Sequence, residues 1–133
     1  MLLKLFNLFG LVIFSLFAYL QLNDASQYGN YDAWIWVALY SMSALFNLWA
    51  LFESINKSVI LVWCGFITGC LLFRVQDDQG NLHFDWIAAS AYVDQTNGQM
   101  IQNTNEAGGL VVMLIWALLQ LWLNRAKRRN SWH

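Results

Sequence analysis

The stretch AWIWVALYSMSALFNLWALF, Ala33 to Phe52, runs for twenty residues without a charge. At about 1.5 Å rise per residue, a helix of that length spans roughly 30 Å, the thickness of one bilayer hydrocarbon core. Three further runs lack any charge: Leu5 to Leu22, Ser58 to Phe73, and Ala107 to Asn124. The chain of 133 residues is 59% hydrophobic and 11% charged, with a mean hydropathy of +0.43. A soluble domain carries about 25% charged residues, so these runs belong to a bilayer rather than to a small water-soluble core.

The pattern predicts four transmembrane helices, at 3–22, 33–52, 56–74 and 106–125, in a single integral membrane domain covering 1–133. The third run is short. It borrows Ile55 to Lys57, with the Lys57 ammonium snorkelling to the interface, or else thins the bilayer locally. The expected fold class is all-α: an antiparallel, left-handed bundle of four transmembrane helices with a short amphipathic helix in the outer loop, 75–105. Lys4 ahead of an apolar stretch has the outline of a signal peptide. The stretch is long, however, and AYLQLND has no small-x-small cleavage pattern, so helix 1 is expected to stay on the chain.

Charge distribution predicts orientation. Six of the seven basic residues (Lys4, Lys57, Arg125, Lys127, Arg128 and Arg129) fall on one side of this layout. Only Arg74 falls on the other, among seven of the eight acids. The positive-inside rule then places both termini in the cytoplasm, and the loops 23–32 and 75–105 outside. The expected location is a plasma membrane, the bacterial inner membrane. Trp34, Trp36 and Trp86 fall near the outer boundary, and Trp49, Trp122 and Trp132 near the inner one, where an indole has an apolar body and a wet N–H. Trp63 and Trp116 sit deeper and are expected to pack between helices.

Polar residues inside the spans are few. Asn7, Asn47 and Gln120 each lie four to six residues from the predicted cytoplasmic end of a helix. They are expected to meet at one depth and hydrogen-bond between helices, at about 0.6 kcal/mol per bond. Ser15, Ser41, Ser43 and Thr68 are expected to bond back to their own helices. Gly65-x-x-x-Gly69 in CGFITG is a flat strip. It suits close packing within the chain, or contact with a membrane-protein partner. Cys64 and Cys70 are six residues apart on one helix, about 600° of turn, and cannot bridge each other. No ionisable residue lies in the middle of a span, which argues against a proton-coupled pump or a charged midplane channel.

The outer loop contains LHFDWIAASAYVD, Leu82 to Asp94, in which Phe84, Ile87, Ala88, Ala91 and Tyr92 recur at helical spacing. It is expected to lie flat on the membrane or to cap the bundle. A turn follows at Asn97-Gly98. Glu106 then precedes AGGLVVMLIW, the start of helix 4.

FAYLQLND followed by WVALY resembles the signature of the transmembrane protein 220 family, at Gln21, Asn23, Asp24, Trp36 and Tyr40. A second likeness lies in Glu106, Gly109, Leu110 and Trp116. Ala25 stands where that family has a proline, and NTNEAGG replaces its acidic-basic run before helix 4. The resemblance extends over nearly the whole chain. It implies the four-helix membrane fold and implies no activity.

The candidate ligand-binding residues are Gln21, Asn23, Asp24, Glu106 and His83. Gln21, Asn23, Asp24 and Glu106 lie at the predicted outer ends of helices 1 and 4. Glu106 sits near a helix N-terminus, where the dipole favours it by roughly 0.3–1 kcal/mol. Asp24 sits at a helix C-terminus, where the dipole opposes it. Convergence of the two carboxylates would give an acid–base pair, and with His83 a set of metal-ligand types. The plainer alternative is that Asp24 hydrates a loop and Glu106 caps helix 4. The expected function is binding of a lipid or small ligand at an outer polar pocket. The alternatives are a structural subunit of a larger membrane complex and a membrane enzyme using the Asp/Glu pair. The cofactor is unknown and no metal is assigned. No Gly-rich phosphate loop, HExxH, GxSxG or Cys/His cluster is present, and nothing in the charge points to nucleic acid. His83 and His133 are the only histidines, so bis-His haem ligation between helices has no candidates.

Overall fold

The computed structural model describes residues 2–22, 33–76 and 102–130, the last of these with side chains over 107–124. Four helices account for most of it: α1 (Leu2–Gln21), α2 (Ala33–Phe52), α3 (Lys57–Arg74) and α4 (Gln102–Asn130). There is no β-strand among the described residues. Each helix contains a segment long and apolar enough to cross a membrane, which in α4 is Ala107–Asn124.

α2 has the bounds the uncharged run predicts, and α1 differs from expectation by one residue at each end. α3 starts at Lys57, because Asn56 caps it. The Ser58 backbone N–H donates to Asn56 Oδ1 at 2.9 Å, and the Val59 N–H to the Asn56 carbonyl at 3.0 Å. An amide oxygen at this position satisfies one of the orphan N–H groups of a first turn. α4 is longer than predicted at both ends, with 29 residues against the expected 106–125. Hydropathy marks the edge of the bilayer, not the end of a helix. Ala126, Lys127, Arg128 and Arg129 are strong helix formers, so the backbone stays helical after the apolar run stops at Asn124. The amphipathic segment Leu82 to Asp94 and the Asn97-Gly98 turn lie outside the described residues.

The chain forms two compact units, Met1–Val59 with Leu119–His133, and Ile60–Leu118. In the first unit α1 packs along α2. Consecutive spans joined outside the membrane must run in opposite directions, since a connecting segment cannot recross lipid without unpaired backbone groups. α1 buries Asn7, Gly10, Phe14 and Ala18, a stripe stepping by three and four residues. α2 buries Trp36, Tyr40, Ser43 and Asn47 in the same rhythm, with Ala33, Leu39 and Ala44 beside them. In the second unit α3 buries Ile60, Cys64 and Ile67, and the matching portion of α4 buries Ala107, Leu110, Met113 and Ala117.

The other faces are apolar too. Phe9, Val12, Trp34, Val62 and Phe73 are more than half exposed. In water each would forfeit about 25 cal/mol for every Å² left uncovered, whereas against lipid tails there is no such penalty. The expectation that Gly65 and Gly69 serve packing within the chain is not met among the described residues. A side chain built at either position would meet nothing within 4 Å. Cys64 and Cys70 are both free thiols. Trp63 is half-buried and stacks on Phe66 of its own helix, ring centroids 5.6 Å apart.

Candidate functional site

The α1–α2 pair has two chemically different ends. Near Gln21 the two helices share an aromatic cluster. Tyr40 lies 5.4 Å from Phe17, edge to face, and 6.5 Å from Phe14, nearly parallel, centroid to centroid. Trp36 lies 6.2 Å from Tyr40, and Phe14 lies 6.4 Å from Phe17 in a T-shaped contact. These separations fall in the favourable range for aromatic pairs. Trp36 is only 3% exposed, while Trp34, two residues earlier, is 68% exposed. The indole of Trp36 is therefore part of the helix contact, not of an interfacial belt. Its spacing to Tyr40, Ser43 and Asn47, in steps of four, three and four, was the sequence signal for that.

Gln21, the last residue of α1, is half-buried beyond this cluster. Of the five candidate site residues, its side chain alone falls within the described part. Asn23, Asp24 and His83 lie outside the described residues. Glu106 lies on the α4 backbone, in the second turn from Gln102, with its side chain outside the described set. The proposed convergence of Asp24 and Glu106 is thus likewise outside it.

Toward the other end of the pair the structure assembles polar groups. Gln120 Nε2 donates to Asn7 Oδ1 at 3.0 Å, joining α4 to α1 across 113 residues of chain. Asn7 is 0% exposed and Gln120 is 3% exposed. Asn47, also buried, donates from Nδ2 to the Ser43 carbonyl of its own helix at 2.8 Å. Of the expected interhelical set, the Asn7–Gln120 bond is formed. The expected back-bond is formed at Thr68, whose Oγ1 donates to the Cys64 carbonyl at 2.8 Å, but not at Ser43. Ser43 Oγ and Asn7 Nδ2 are buried with no hydrogen-bond partner among the described residues. Near the end of α2, Trp49 Nε1 donates to Glu53 Oε2 at 3.2 Å on the exposed face.

Residues 13–122 match the family model described as transmembrane family 220, helix. The chain belongs to transmembrane family 220. The matched stretch takes in the aromatic cluster, Gln21, Asn23, Asp24, Trp36, Tyr40, Glu106 and Gln120; Asn7 precedes it. No curated protein and no solved structure matches the chain. Family 220 membership accords with the four apolar helices, and it assigns no reaction to the residues at either end of α1.

Proposed function

We propose that this member of transmembrane family 220 binds a lipid or a small polar ligand at the outer face, around the Gln21 end of α1. The observation that supports this reading is the half-buried Gln21 amide placed beyond the Phe14–Phe17–Trp36–Tyr40 cluster. Such a site offers apolar ring surface to an acyl or aromatic group, and an amide with both donor and acceptor atoms to a polar one. Asp24, three residues further along, is its candidate carboxylate, and Glu106 is tested beside it. Both termini lie in the cytoplasm of a bacterial inner membrane in this reading, by the excess of Lys and Arg at that side.

Native mass spectrometry of the full chain, released from mild detergent, tests the proposal. Wild type is expected to retain a bound lipid or small molecule, and Gln21→Ala with Asp24→Asn to lose it while keeping its helical content. Retention unchanged in the double variant refutes the site.

A second reading is favoured by one observation, the open space over Gly65 and Gly69. A strip without side chains, unoccupied within the described residues, suits close approach by a helix of another membrane protein. In this reading the protein is a subunit of a larger membrane complex. Cross-linking at Gly65→Cys in native membranes decides it, and failure to capture any protein refutes it.

A further inference from the structure

We propose that the end of α4 is a binding site for an anionic phospholipid, with its phosphate at Arg125 and Arg129 and its acyl chains along Leu118 and Trp122. α4 does not stop where its apolar segment stops. Ala107–Asn124 is followed by helix as far as Asn130. At about 1.5 Å per residue the extension rises roughly 9 Å, enough to cross the headgroup layer on one side of a bilayer. It carries Arg125, Lys127, Arg128 and Arg129.

Helical register divides these four into two pairs. Seven residues make two turns to within about 20°, so a position repeats the face of the one seven before it. Arg125 and Arg129 stand seven residues after Leu118 and Trp122, which are exposed. Lys127 and Arg128 stand seven residues after Gln120 and Leu121, which are buried. The Gln120–Asn7 bond marks the side of α4 that meets α1. One stripe of α4 therefore runs from aliphatic surface, past an exposed indole, to two arginine positions one turn apart. Lys127 and Arg128 continue the opposite side.

That order follows a phospholipid from tail to headgroup. Leu118, Leu119 and Trp122 offer exposed apolar surface to acyl chains, and an indole N–H is suited to the interfacial level. Arginines about 6 Å apart along the axis can share one phosphodiester, a group that guanidinium recognises well. Six basic residues and the single acid Glu53 fall on this side of the layout, so charge favours an anionic headgroup over a zwitterionic one. Complementing the helix dipole or setting orientation would need no particular face, and Lys127 and Arg128 would serve equally.

The test is native mass spectrometry of the full chain in mild detergent, titrated with phosphatidylglycerol or with phosphatidylcholine of the same acyl chains. Wild type is expected to bind phosphatidylglycerol about tenfold more tightly. Arg125→Gln with Arg129→Gln should bring that ratio close to one. Lys127→Gln with Arg128→Gln removes the same charge from the other side and should keep it. Glycerol phosphate, which has the charge without acyl chains, should not displace the lipid at equal concentration. Equal binding of the two lipids by wild type, an equal effect of the two double variants, or displacement by glycerol phosphate would each overturn the proposal. Where Arg125→Gln with Arg129→Gln does not fold, the other double variant decides: a kept ratio supports the site, and a lost one overturns it.

Discussion

Replacing Asn7 by leucine should destabilise the protein more than losing one hydrogen bond suggests. The bond from Gln120 Nε2 to Asn7 Oδ1 is 3.0 Å long and both residues are buried. Interhelical bonds in membranes average about 0.6 kcal/mol and reach about 1.7 kcal/mol. Asn7→Leu also leaves the Gln120 donor buried and unpaired, and a group so stranded costs about 1–3 kcal/mol. Leucine is no smaller than asparagine, so no cavity opens. The expected cost is therefore about 1–3 kcal/mol, roughly a 5- to 150-fold shift in the folding equilibrium. Gln120→Leu should cost less, since it strands an acceptor with a second lone pair. The double variant should recover much of the loss, because two apolar side chains replace the pair and neither amide is left stranded by the loss of the other. The assay is reversible unfolding in mixed micelles of lipid and SDS, run as a double-mutant cycle on all four proteins. A coupling energy near 0.6–1.7 kcal/mol supports the account. Strict additivity of the two single substitutions refutes the reasoning, for it would mean that the two amides do not act on each other.

Tyr40→Ala should cost roughly 2 kcal/mol in the same assay, less than in a soluble core, because lipid rather than water fills part of the space its ring leaves between Phe14, Phe17 and Trp36. Thr68→Ala should stay within about 0.5 kcal/mol of wild type, since its hydroxyl bonds only to a carbonyl of its own helix. Asn56→Ala should cost about 1 kcal/mol and fray the first turn of α3, read as faster amide exchange at Ser58 and Val59. Gly65→Ala should stabilise the isolated protein by about 0.5–1 kcal/mol, the helix-propensity gain with nothing within 4 Å to oppose it. A loss of stability there would show that another helix covers the strip.

The spans were legible because a helix in lipid must be long, uncharged and internally hydrogen-bonded, and Ala33 to Phe52 meets all three conditions by inspection. The end of α4 was not, because Lys127 to Arg129 leave the membrane without leaving the helix, and hydropathy reads only the first. At the polar layer, depth was legible and partners were not. The distance of Asn7, Asn47 and Gln120 from their helix ends placed them at one level. Which amide would bond to which depends on rotation about each axis. Asn7 and Gln120 pair, and Asn47 donates to the Ser43 carbonyl of its own helix. Trp36 shows the same limit. A tryptophan near a span end reads as an interfacial anchor, yet the stripe it shares with Tyr40 turns it into the helix contact. For the candidate site, the sequence put Gln21 in the last turn of α1, where it lies. Convergence of Asp24 with Glu106 is a tertiary property that spacing does not encode.

The central claim is that the Gln21 end of α1 is a binding site. A cryo-EM structure of the full chain in nanodiscs of native lipid, at a resolution that shows side chains, tests it most directly. The account predicts non-protein density over the Phe17–Tyr40 edge, with a polar atom in hydrogen-bond reach of the Gln21 amide. A Gln21 amide bonded only to the protein's own residues, with the ring edge covered by its own chain, would contradict it.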